Sequence, residues 1–143
     1  MAAGDYDDDG RTDMLVTNFG GRFELLRNET DAGALLRLRL RSAGTARDAV
    51  GAEVFVTPCA DDACGGADGV SGYPQRHAVK IGESFASQSS NDVLAGLASA
   101  SSAHVLLRWP DGELQDLGRL PAHSEVLVVQ GRDPVVRSLS PRN

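Results

Sequence analysis

Leu36-Arg37-Leu38-Arg39-Leu40-Arg41 alternates apolar and cationic side chains strictly. Successive side chains of an extended strand point to opposite faces, so the run places three leucines on one face and three arginines on the other. Working outward from it, the same alternation predicts strands at Met14 to Asn18, Arg22 to Asn28, Leu35 to Arg41, Ala52 to Thr57 and Gln75 to Ile81, then at His104 to Trp109, Glu113 to Leu117 and Glu125 to Gln130. Turn chemistry separates several of them: Gly20-Gly21 reads as a tight hairpin, and Pro110-Asp111-Gly112 as a turn between two later strands. No window carries apolar residues at helical spacing over helical length, so the predicted fold class is all-β with a β-sandwich-like body. The Ser- and Ala-rich segment from Ser84 to Ser102 reads as irregular crossing loops with at most one helical turn.

The 143 residues suffice for one main domain and a small appendage. Three divisions are expected: residues 1–30 with one hairpin, a β domain over 33–131, and a loose tail over 132–143 containing Pro134 and Pro141. Twenty acidic against fourteen basic residues, a net charge of -6, argue against a nucleic-acid or anionic-membrane partner and favour divalent cations. No run approaches the apolar length of a membrane-crossing helix, so membrane insertion is not expected. The start Met1-Ala2-Ala3-Gly4-Asp5 has neither the cationic nor the apolar part of an export signal.

At the other end of the hairpin lies the densest chemistry. Asp5-Tyr6-Asp7-Asp8-Asp9-Gly10-Arg11-Thr12-Asp13 sets carboxylates at positions 1, 3, 5 and 9 of a loop. Calcium takes six to eight oxygens, and a chain wrapped around it presents every second side chain inward. The expected ligands are Asp5, Asp7, Asp9 and Asp13 with the backbone carbonyl of Arg11, while Gly10 allows the bend and Tyr6 and Asp8 face outward. An EF-hand is excluded, because its twelfth position here is Val16, inside a strand-like run. Magnesium fits less well, since it demands strict octahedral geometry and retains waters. The bland alternative is a solvated acidic turn.

Cys59 and Cys64 lie in the loop-like stretch Pro58 to Gly72, and a local disulfide between them is the natural reading, with free thiols as the alternative. Two thiolates without further soft ligands make a poor zinc site. So short a ring contributes only about 2 kcal/mol in the chain-entropy model. A bridge implies an oxidising compartment, which leads to the expectation that Met1 is not the true start of an exported parent protein.

Residues Gly4 to Asn18, with Leu25-Leu26-Arg27-Asn28, closely resemble the FG-GAP or VCBS repeat of integrin-type β-propellers. The resemblance implies that residues 1–30 are the end of a blade whose loop holds calcium between two strands. Three further stretches, Arg47 to Val54, Gly82 to Ser89 and Val105 to Gly112, resemble the ASPIC/UnbV domain in that family's order. One departure is Leu94-Ala95-Gly96-Leu97-Ala98, where the family usually shows a His-Phe-Gly-Leu-Gly-like string. The stretch Pro58 to Gly72 looks like an insertion. Such domains commonly follow FG-GAP repeats in secreted proteins, which implies an extracellular or periplasmic location.

The remaining candidates divide between architecture and ligand contact. Arg37, Arg39 and Arg41 form either a solvated sheet face or a ridge for a sulfated glycan or carboxylate, and Trp109 either packs in the core or stacks on a ligand. His77, His104 and His123 stand in no metal-ligand or catalytic spacing, and no nucleophile motif is present. The expectation is a non-catalytic calcium-binding module for a protein or glycan partner; the alternative is an accessory or enzymatic role in a secondary-metabolite pathway, implied by the UnbV part of the resemblance.

Overall fold

The computed structural model describes residues 1–31, 33–44, 47–59, 74–82 and 87–139. Every regular element in them is a strand: β1 (Ala2–Gly4), β2 (Asp13–Thr17), β3 (Phe23–Leu26), β4 (Ala34–Arg41), β5 (Glu53–Cys59), β6 (Gln75–Ala78), β7 (Val93–Ala98), β8 (Ser102–Arg108), β9 (Leu114–Pro121), β10 (Ser124–Val129) and β11 (Val135–Ser138). They form a three-stranded sheet β1-β2-β3 and two four-stranded sheets, β11-β10-β4-β7 and β6-β5-β8-β9. Pairing is antiparallel except between β4 and β10. The all-β, sandwich-like expectation therefore holds for the body.

The leucine face of β4 explains why the two larger sheets belong together. Leu36, Leu38 and Leu40 are buried, and the β4–β10 register sets Val126 beside Leu38 and Val128 beside Leu40. On the other flank Ala95 and Val93 of β7 stand beside Leu36 and Leu38. The opposing sheet contributes Val54 and Val56 of β5, matched by Leu107 and Val105 of β8, to the same apolar cluster. Burying each such side chain is worth roughly 1.5–3 kcal/mol, so this shared layer dominates the body's stability.

Three segments depart from expectation. Val93–Ala98 is a strand, not a crossing loop: Val93, Ala95 and Leu97 are buried in alternation, but Leu94, Ala95 and Gly96 blur the contrast on which period-two reading depends. Val135–Ser138 is paired to β10, although all four of its residues are exposed. β5 continues through Pro58 to Cys59, held there by its pairing with β8, while its described pairing with β6 runs from Glu53 to Val56. At the entry to β4, Gly33 passes so close to β7 that an added Cβ would lie 2.6 Å from the Ala98 carbonyl oxygen.

Candidate metal centre

The acidic loop runs from β1 to β2 and is folded by its own carboxylates. Asp5 accepts the Asp9 and Gly10 amides at 3.1 and 2.7 Å, and Asp9 accepts the Arg11 amide at 2.8 Å. Asp13, almost fully buried, accepts the Tyr6 amide at 3.0 Å and the Asn28 amide at 2.8 Å, closing the loop against the end of the hairpin. The bend uses a left-handed residue twice, at Asp8 (φ 58°) and Gly10 (φ 89°). Asp is among the few residues that tolerate that region, and Gly enters it freely. Gly10 is also a contact point, since a Cβ there would meet Leu35 Cδ2 at 2.4 Å.

One ligand oxygen from each of Asp5, Asp7 and Asp13 lies within 4.8 Å of the others. It is the group of three potential metal-ligating side chains that the described residues bring together. Tyr6 faces solvent as expected, and Asp8 is half-exposed. Asp9 differs: its carboxylate receives the Arg11 guanidinium, through Nε at 3.0 Å, with Arg27 Nη2 at 3.7 Å. Burial pushes against ionisation of Asp9, but the side-chain and backbone hydrogen bonds from Arg11 outweigh it and lower the pKa below the usual carboxylate range. Sequence spacing does not show this, because position 7 of the loop offers a backbone carbonyl whatever side chain it carries.

Three guanidinium groups close on the loop. Besides Arg11, Arg27 pairs with Asp7 at 2.8 Å, and Arg37 pairs with Asp5 and, at 3.0 Å, with Asp8. Arg37 thereby departs from both expectations for the arginine face of β4, a solvated sheet face or an anion-binding ridge. Its side chain is 1% exposed and also meets Glu125 at 3.5 Å, while Arg39 pairs with Asp92 and Glu125 and Arg41 with Asp48. Trp109 offers no stacking face: it is buried in the core and donates its indole N–H to Gln115 at 2.9 Å.

Two features had no sequence signal. Glu53 at the start of β5 is clamped between Arg76 and Arg108. The Arg76 hydrogen bond, and then that of Arg108, hold its carboxyl below the ordinary glutamate range against the opposing effect of burial. A polar cleft of about 370 Å³ contains His77, Lys80 and Asp92, and burial lowers the His77 pKa. Cys59, at the end of β5, is disulfide-bonded; Cys64 lies outside the described residues. No described helix is long and apolar enough to cross a membrane.

The family model described as ASPIC and UnbV matches residues 42–135, more than half of the chain. The matched stretch begins just after β4, the strand that sits between β10 and β7, and ends at the first residue of β11. No curated protein and no solved structure matches the chain.

Proposed function

The chain belongs to the ASPIC and UnbV family, and from that premise we propose that it is a non-catalytic, calcium-binding extracellular module that presents its β body to a protein or glycan. The observation that carries the calcium reading is the convergence of Asp5, Asp7 and Asp13 within 4.8 Å. Charge supports it. The loop carries five aspartates, of which Asp5, Asp7, Asp8 and Asp9 pair with Arg11, Arg27 or Arg37, and two of these guanidinium groups are shared with Glu29 and Glu125, so negative charge stays in excess around the converging carboxylates. Asp5, Asp7 and Asp13 would hold the ion, with the Arg11 carbonyl as a further oxygen that the loop spacing offers; Asp9 would join them only by leaving the Arg11 guanidinium. A bound calcium would supply rigidity, since it replaces repulsion among the carboxylates with a shared cation.

The resemblance of residues 4–28 to the FG-GAP repeat supports the same assignment, and the disulfide at Cys59 supports an oxidising compartment such as the extracellular space or periplasm. Calorimetric titration of the full chain tests the reading. One calcium per chain is expected to bind, and Asp7→Asn to weaken it about ten-fold or more, because Asp7 is the converging carboxylate with the least structural duty. A wild-type chain that releases no heat and shows no change in loop proton shifts at millimolar calcium would overturn it.

A further inference from the structure

We propose that Arg37 couples the acidic loop to the sandwich body, so that occupancy of the loop is felt by the amides of β4 and β10. The inference rests on the calcium reading above and adds to it the route by which the ion acts on the rest of the chain. Arg37 stands in the middle of β4, opposite Glu125 of β10 in the strand register. A guanidinium this deeply buried must be paired, and two of its carboxylate partners, Asp5 and Asp8, belong to a loop about thirty residues away in sequence. The third is Glu125, which is shared with Arg39 at 3.2 Å, and Arg39 pairs in turn with Asp92 at 3.0 Å. A continuous ionic chain therefore leads from the loop across β4 and β10 to the segment that precedes β7.

Asp5 is the shared element, being both a converging carboxylate of the candidate site and a partner of Arg37. Arg37 is not saturated in this arrangement. Among the described residues its Nε has no hydrogen-bond partner, and its Nη2 is tied only by the ion pair with Asp5. A cation taken up on Asp5 withdraws negative charge from Arg37, whose other partners are the half-exposed Asp8 of the loop and, within the body, the partly buried Glu125. The β4–β10 pair is then drawn together, and protection of its amides rises. The N-terminal sheet has uncharged ties to the body as well, Ser90 N–H to the Ala3 carbonyl at 2.9 Å and Ser87 Oγ to the Met1 carbonyl at 2.6 Å, but these have no reason to answer to an ion.

Hydrogen exchange of the full chain, with and without saturating calcium chloride, tests the coupling. In the wild type calcium is expected to slow exchange in the loop and, by about five-fold or more, in β4 and β10. In Arg37→Met the loop should still respond while the response of β4 and β10 falls away, and Arg37→Lys, which restores charge without the fork, should recover part of it. Glu125→Gln severs the body end without touching the loop, should behave like Arg37→Met, and stands in for it if that variant does not fold. An undiminished body response in Arg37→Met or Glu125→Gln overturns the coupling and leaves the calcium reading intact. A wild-type loop that gains no protection overturns both.

Discussion

In the sandwich body the inward-facing apolar side chains of β4, β7 and β10 are almost completely withdrawn from water, whereas in the N-terminal sheet Phe23 keeps 75% of its surface exposed and Leu25 45%. Both regions are built from short strands, antiparallel throughout in the N-terminal sheet and antiparallel except for the β4–β10 pair in the body. They differ in what lies on their faces. The body has two sheets whose inner faces share one apolar cluster; among the described residues β1-β2-β3 has no second sheet, and every residue of β3 is exposed. A small sheet with so little buried apolar face is marginal in water. Its order comes instead from polar ties: the two amides held by Asp13, the carboxylate turns of the acidic loop, and the attachments to Ser90 and Arg37. One region is held by burial and the other by hydrogen bonds and charge, and each should fail under a different insult.

The largest effect is expected where burial is greatest. Trp109→Ala removes the largest fully buried side chain, which closes the core beside the β8–β9 turn. A loss of roughly 3–5 kcal/mol in urea denaturation is expected, with the N-terminal sheet lost in the same transition because it leans on the body. Should the N-terminal sheet persist after the body has melted, its dependence on the body is refuted.

Asp13→Ala is the reciprocal insult. It leaves the Tyr6 and Asn28 amides without their acceptor inside a largely buried site, at a cost of roughly 1–3 kcal/mol. Measured in chelator, so that no cation contributes, the change should raise hydrogen exchange across residues 5–28 and leave β5 and β8 as protected as before. Equal deprotection of both regions would mean that they form one cooperative unit and that the contrast drawn above is only one of surface.

The same contrast decides what could be read from the chain in advance. β4 was legible because Leu alternates with Arg, as a strand with one covered face demands, and β8 and β10 because short runs of Val and Leu, which favour strands, are bounded by polar residues. β7 was not, since alanine and glycine serve on both of its faces and carry little hydropathic contrast. β11 was hidden by Pro134 and by strand residues that stay exposed. In the candidate site the spacing of Asp5, Asp7 and Asp13 was enough to bring them together. The turn of Asp9 toward Arg11 was not legible, because a neighbouring cation competes with any shared centre and spacing alone cannot rank the two. Arg37 was misread for a deeper reason. Alternation says which residues share a face of β4 but not what covers that face, and the cover is a loop remote in sequence.

The smallest expected effect is also the sharpest test of the contrast, because burial-based intuition predicts the opposite. Phe23 is aromatic, lies in a strand and pairs with Thr17 across β2, so a reader of sequence would assign it to a core. Its exposure means that little surface returns to water in the unfolded chain, and Phe23→Thr keeps a β-favouring side chain at the site. The urea midpoint of the isolated chain should therefore move by no more than about 0.5 kcal/mol equivalent, as for other surface substitutions. A loss of several times that size would mean that β3 is covered in solution by something other than water. The polar account of the N-terminal sheet would then have to give way to one in which burial, supplied from outside the described residues, holds it as well.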